Sequence, residues 1–355
     1  MRKFDLIINS FLAPPSLSAP PPKYLDIGKI TKRKKVRLAN HTTSSLFVVE
    51  GRKENYNLAP VLASNMTTVT NITPDSSSTF DPGRADDYFD HNQLDECEQY
   101  LKEYYHANHD DHNNKEREKK KNNDPEILWR YARLLHRQTE SVKPTDTITR
   151  EQLIRRSLAF IEEALEVLET EVSPQATDDA TKKANNGNNS QYYSSYASCY
   201  KWKALLIGEL GNYVTIKEKI SNAFVIKELF LKSLDMQQKV SNDDNGNGGG
   251  EDPVVLFGMG EWCSRVAATG YLQRTIASTL FAVPPESSYD EACLWYRKAL
   301  KEKPDFKRCY FCLGETLWAM GLKEQAKTEG YRKCLEIPSS RPFEYELDTL
   351  AKKRL

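Results

Sequence analysis

The sequence lacks any apolar run approaching the ~20 residues that cross a bilayer. It has no lysine-bearing phosphate loop, serine elbow, zinc-protease helix or dinucleotide glycine fingerprint. It also lacks net charge, since 50 basic residues balance 50 acidic ones. That balance removes any whole-chain attraction to nucleic acid or anionic membrane and leaves only local patches to supply one. Strand-like alternation is almost absent. The seven cysteines are an odd number at irregular spacing, which suits small buried hydrophobes in a reducing compartment rather than a disulfide framework. The stretch Met1–Ala13 starts basic and briefly apolar, but Asp5 and Asn9 interrupt it, so a cytoplasmic location is expected over secretion. These absences predict a non-enzymatic protein with no cofactor, no metal and no transmembrane segment.

What is present divides the 355 residues in two. Only 39% of the chain is apolar and 28% is charged, too little apolar surface to pack all of it. Residues 1–82 are rich in Pro, Ser, Thr and Asn without sustained periodicity, and are expected to form a disordered arm. Its basic run includes Lys29, Lys32, Arg33, Lys34, Lys35 and Arg37. Such a run reads equally as electrostatic attachment to an acidic partner, as a solvated charge run, or as a nuclear import signal. Leu46–Val49 alternates briefly like a strand but stands alone. From residue 83 to 355 the pattern is helical. Polar inserts near 106–123, 173–191 and 241–251 fall between helices, where exposed turns tolerate insertion.

The helices repeat in pairs. In Tyr289–Pro304, the positions Ala292, Tyr296, Ala299 and Pro304 carry the tetratricopeptide sequence of small, aromatic, small and helix-ending proline. Small residues let helices approach, the aromatic fills the groove between them, and proline stops the helix. Phe306–Met320 follows as the next first helix, Gly321 makes the turn, and Ala326 opens the partner. Gly330 stands where an aromatic is usual, with Tyr331 beside it as a substitute. Leu128–Leu135 pairs with Leu153–Leu168, and Cys199–Trp202 opens a unit whose long partner runs from Ile216 through Leu231. Ala85–Tyr105 is a starting pair joined near Asp90–Asn92. The predicted fold is all-α: a tetratricopeptide-like solenoid of helical hairpins.

Several stretches within residues 84–338 resemble a known family, the regulators of microtubule dynamics. The resemblance rests on Asp124–Arg133, Tyr200-Lys-Trp202, Gly211–Glu228, Leu256–Cys263 and Leu272–Ala292, in the family's order. It implies a tetratricopeptide-like domain associated with microtubules or spindle poles, hence a cytoskeletal location. One branch of the family carries an N-terminal membrane anchor, joins endoplasmic reticulum to mitochondria and has lipid handling attributed to its helices. The lack of a spanning segment sets this sequence nearer the microtubule-linked branch, with mitochondrial association implied only by the other.

The candidate partner-binding residues are Lys217, Lys219 and Lys227 on the long partner helix, with Trp262, Tyr271, Gln273 and Arg274 around an unusual connection before Pro285. A charged concave surface there would suit acidic peptide tails, while Ile276, Leu280 and Phe281 are expected to plug the solenoid. Cys309-Tyr-Phe-Cys312 has CxxC spacing, but it sits inside a helix and no second close pair exists, so a core role is expected. The histidines at 106, 109 and 112 lie in a polar insert that suits solvation better than metal. Asp87-Tyr-Phe-Asp90 superficially resembles an adaptor-binding motif, but Phe89 is expected to be buried. The reading that emerges is an adaptor for microtubules or spindle-associated proteins. A lipid-binding or lipid-transfer domain at organelle contacts and a general protein-interaction scaffold are the alternatives.

Overall fold

The computed structural model describes residues 79–107, 124–143, 145–171, 186–243, 250–269, 279 and 285–355. The basic arm, the Leu46–Val49 run, His109 and His112, and Tyr271, Gln273, Arg274, Ile276, Leu280 and Phe281 lie outside them. The described residues are helical and contain no strand. In chain order they form α1 (Pro82–Asp90), α2 (Leu94–Ala107), α3 (Pro125–Gln138), α4 (Thr147–Glu171), α5 (Asn186–Leu210) and α6 (Ile216–Asp243). Then come α7 (Pro253–Ala267), α8 (Tyr289–Glu302), α9 (Lys307–Ala319), α10 and α11 (Pro342–Arg354). Helix α10 opens at Lys323–Gln325, widens into a π-turn at Ala326–Tyr331 and resumes at Arg332–Glu336. Two helices reach into stretches expected to be polar inserts: α5 begins at Asn186 and α6 runs on to Asp243.

Local chemistry sets the helix starts. Asp81, Asp124 and Asp252 each precede a proline and accept a bond from the backbone N–H two residues on, at 2.9, 2.8 and 2.7 Å. An aspartate cap followed by proline in the first turn satisfies a terminal donor and presets the helical φ. Ser288 caps α8 through the N–H of Glu291 at 3.1 Å, with Asp290 and Glu291 favourably placed in the first turn.

Packing is sequential. The pairs α1–α2, α3–α4, α5–α6, α7–α8 and α9–α10 form hairpins, and each second helix also packs on the first helix of the next pair. Helix α11 closes the series against α9 and α10. Two apolar cores run along this stack, one centred on α3, α4 and α5, the other on α7, α8 and α9, and Tyr200 packs against both. The π-turn accounts for the Gly330–Tyr331 substitution. A Cβ on Gly330 would collide with the backbone of Gly314, so the helices touch there. The extra residue of the π-turn then brings Tyr331 into the fully buried position, its hydroxyl donating to Glu315 at 2.6 Å.

Candidate functional site

The first helices of the pairs frame an inner groove of about 540 Å³. Its walls come from both ends of the described chain. Phe89 and Asp90 end α1, and His136, Arg137 and Glu140 end α3 and the following turn. Lys201, Trp202 and Leu205 lie on α5, Val254 and Phe257 on α7. The connection Lys303–Arg308 and the segment between Ile337 and Glu344 complete it. A volume of this size matches sites that take one compact ligand or a short peptide segment.

The lining is cationic and aromatic together. Six basic side chains line it against four carboxylates, and four of the six sit over an aromatic ring of the same groove. Arg137 lies 4.8 Å from the Phe89 centroid, Lys303 5.7 Å from Phe306, Arg308 5.5 Å from Phe257 and Arg341 4.8 Å from Phe343. A ring under a cation holds it electrostatically without itself accepting from its N–H donors.

The two lips are held in place. On the C-terminal side, the Glu344 carboxylate accepts from the N–H groups of Ser340 and Arg341 at 2.7 and 3.2 Å and from the Arg341 guanidinium at 3.1 Å. Burial pushes the Glu344 carboxyl up, but these donors outweigh it and hold it below the ordinary carboxylate range. Buried Lys307 pins the same segment, donating to the Ile337 carbonyl at 2.6 Å and pairing with Asp348 at 2.6 Å. On the N-terminal side, the Phe89 ring carries both Arg133 and Arg137, 4.0 and 4.8 Å from its centroid. Arg133 is tied to Asp86, which also receives Arg130.

Arg137 is less well compensated. Its side chain is 18% exposed, and its carboxylate partner, Glu140, stays 3.9 Å away. Burial is the largest influence lowering its proton affinity; Glu140 opposes this, and the nearby Arg341 guanidinium adds to it. Behind the lip, the His136 ring lies 5.6 Å from that of Trp202 and pairs with buried Glu209 at 2.6 Å. The Trp202 indole N–H is buried and has no acceptor.

Those sequence-predicted residues that the structure describes, Lys217, Lys219, Lys227 and Trp262, fall outside the groove lining. Lys217 is exposed and Lys219 half-buried at the start of α6, outside the groove lining. Trp262 is buried at 3% exposure, donates to the Ala223 carbonyl at 2.8 Å and carries the Lys227 ammonium 4.6 Å above its ring. Trp262 is therefore held inside the fold, where it steadies Lys227. Phe89 is buried, as expected, and also forms part of the groove floor. Cys309 is fully buried with its thiol on the Tyr296 carbonyl at 3.4 Å. Burial raises Cys309 and Cys312 well above the usual thiol range, the reverse of a metal-binding or redox cysteine. Among the described residues, no cluster of His, Cys, Asp and Glu could hold a metal, and no helix is long and apolar enough to cross a membrane.

Among the described residues, the alternative of a lipid cavity finds no support. The inner groove carries charge across its walls, and the apolar cavity bounded by Ala204, Ile226 and Phe257 holds only about 50 Å³.

Comparison with known proteins gives one family. The sequence profile described as Regulator of microtubule dynamics protein 1-3 matches residues 86–355. Regulator of microtubule dynamics protein 1 of Bos taurus is 31% identical over 204 residues, covering 57% of this chain and 52% of that protein. The Mus musculus protein of the same name is 31% identical over 214 residues, covering 59% and 58%. Regulator of microtubule dynamics protein 3 of Mus musculus is 26% identical over 159 residues, covering 45% and 30%. The chain thus spans about half the length of the first two relatives.

Proposed function

This chain belongs to the regulator of microtubule dynamics 1–3 family, and from that premise we propose that it is a non-enzymatic, tetratricopeptide-like adaptor that binds microtubules through its inner groove. The observation that carries this reading is the groove's lining, in which cations rest on aromatic faces between two anchored lips. Such a surface fits a short acidic segment: the cations supply attraction and the rings supply contact area. Three helices, α7, α9 and α11, also begin at the groove wall, and their N-terminal ends add partial positive charge toward an anion. The exposed acidic tails of tubulin have the required chemistry. The lysines at the start of α6, Lys217 and Lys219, supply a second, outer patch that steers the encounter without setting its geometry.

Co-sedimentation of the full chain with assembled microtubules tests this reading, using intact and tail-cleaved tubulin across a salt series. The expected result is pelleting that weakens with salt and with tail removal. A groove variant, Arg341→Glu, is expected to weaken pelleting more than Lys217→Glu does. Pelleting unchanged by tail removal, or by Arg341→Glu, refutes the groove as the microtubule site.

A further inference from the structure

We propose that the groove recognises a chain end: the free α-carboxylate of an acidic peptide, seated between Arg137 and Arg341, with the terminal side chain against the groove's aromatic floor. This rests on the reading of the groove as an acidic-segment site and specifies which part of the segment it holds.

The charge inventory favours one carboxylate over a long polyanion. Of the six groove cations, Lys201 is paired with Asp252 at 2.7 Å, Lys307 with Asp348 at 2.6 Å and Arg341 with Glu344 at 3.1 Å. Asp90, Glu140, Asp305 and Glu344 line the same walls. A run of glutamates laid along the groove would meet these four carboxylates, while a single terminal anion needs only Arg137 and Arg341. Both line the groove, and Arg341 lies near enough to lower the proton affinity of Arg137. Those two side chains come from opposite ends of the described chain, and they repel one another in the free protein. A planar carboxylate has two oxygens, one for each guanidinium, and neutralises that repulsion with charge-assisted bonds.

Size and chemistry of the interior agree. About 540 Å³ accommodates a few residues, not an extended tail. Phe257, Phe306 and Trp202 line the same groove and suit an aromatic or large apolar last side chain. The Trp202 indole N–H, buried in the free protein, has no acceptor, a cost that a ligand acceptor reaching it would remove. Both lips are braced before any ligand arrives, the C-terminal one by Glu344 and Lys307 and the N-terminal one by Phe89, so little ordering cost falls on the protein.

The test measures fluorescence anisotropy of the full chain with three labelled peptides. One is acidic and ends in tyrosine with a free carboxylate. The second is its C-terminal amide, and the third is the same acidic sequence without the tyrosine. The amide is expected to bind at least about tenfold more weakly, equivalent to ~1.4 kcal/mol, and the truncated peptide to fall between the two. Arg137→Gln and Arg341→Gln are expected to erase the acid–amide difference. Arg341→Lys, which keeps the charge and loses the fork, is expected to retain only part of it. Circular dichroism confirms that each variant is folded, and the acid–amide comparison on the unaltered chain needs no variant. Equal binding of acid and amide, with microtubule pelleting intact, overturns chain-end recognition and leaves the acidic-groove reading standing. Failure of both peptides and of pelleting overturns both. Discrimination between acid and amide without pelleting supports the chain-end site and refutes microtubules as its partner.

Discussion

Removing the Lys307 ammonium should detach the C-terminal lip of the groove. Lys307 is 4% exposed, and its Nζ both donates to the Ile337 carbonyl and pairs with Asp348, whose other oxygen accepts from Ser339 at 2.8 Å. Lys307→Met keeps most of the stem and deletes only the charge, leaving a carbonyl and a carboxylate oxygen without their cation. Breaking a wholly buried pair costs about 3–5 kcal/mol. The Asp348 side chain is 21% exposed, so water recovers part of that and about 2–3 kcal/mol is expected. Hydrogen exchange is the assay, because a stack of hairpins opens locally before it unfolds globally. Amides of α11 and of residues 337–341 should exchange roughly 30-fold or more faster at 2 kcal/mol, while those of α3 and α4 stay unchanged. Lys307→Met combined with Asp348→Asn removes the stranded charge and should recover a substantial part of the loss. Less than about 0.5 kcal/mol of loss in the single variant, or a double variant no better than the single, refutes the account of Lys307 as a buried clasp.

Three other outcomes follow from the same structure. Gly330→Ala should destabilise the protein by about 1–3 kcal/mol, read as a lowered Tm, because its Cβ meets the backbone of Gly314 rather than a side chain able to swing away. Asp86, Glu344 and Asp348 are each pushed up by burial but held, on balance, below their ordinary values by their cationic and hydrogen-bonding partners. A depressed folded value means stability that is present above the unfolded value of about 4 and lost as pH falls through the lower folded value. Tm should therefore be level from pH 7 to about 5 and fall below about pH 4, and Asp348→Asn should flatten part of the fall. Burial pushes Cys97 and Cys334 up to about 11 and Cys263 to about 12. A thiol reagent at pH 8 should accordingly titrate less than one cysteine per native chain within minutes, and all seven after denaturation.

The hairpin stack was legible because its signals are local. Ala292, Tyr296 and Ala299 sit a helical turn apart, and all three are fully buried where α8 meets its neighbours. The Asp-Pro dipeptides at 81–82, 124–125 and 252–253 mark three helix starts. Even the missing aromatic at Gly330 pointed to Tyr331, although only the backbone reveals the π-turn that makes the exchange possible. Helix α11 escaped notice because its apolar residues make no strong stripe: Ala351 is fully buried, but Tyr345 is 58% exposed. The groove was illegible for a different reason. Its lining comes from several separated stretches of the chain, and periodicity carries no information about which stretches meet. Arg341 lies two residues from its ring at Phe343, a pairing visible in sequence, but Arg137 reaches Phe89 only through the packing of α1 on α3.

Continuity along one helix explains why sequence reasoning placed the candidate cations on α6 and not in the groove. Lys217 and Lys219 stand out on paper because they recur with Lys227 on one long helix, although Glu218 lies between them. In the groove every conspicuous cation has an acid close by in sequence: Arg137 has Glu140, Lys303 has Asp305, and Arg341 has Glu344. Sequence proximity overstates that compensation. Glu344 spends its oxygens on backbone N–H groups as well as on Arg341, and Glu140 stays 3.9 Å from Arg137. A chain with no net charge can therefore hold a groove of distinctly positive character, provided its acids are committed to capping helices and anchoring loops. The same commitment predicts how the groove fails. Glu344→Gln should release the lip that presents Arg341, even though it adds one unit of positive charge to the wall. If electrostatics alone governed binding, that variant would bind acidic peptides more tightly. If the anchored geometry governs, it binds them more weakly, and the sign of the change decides between the two.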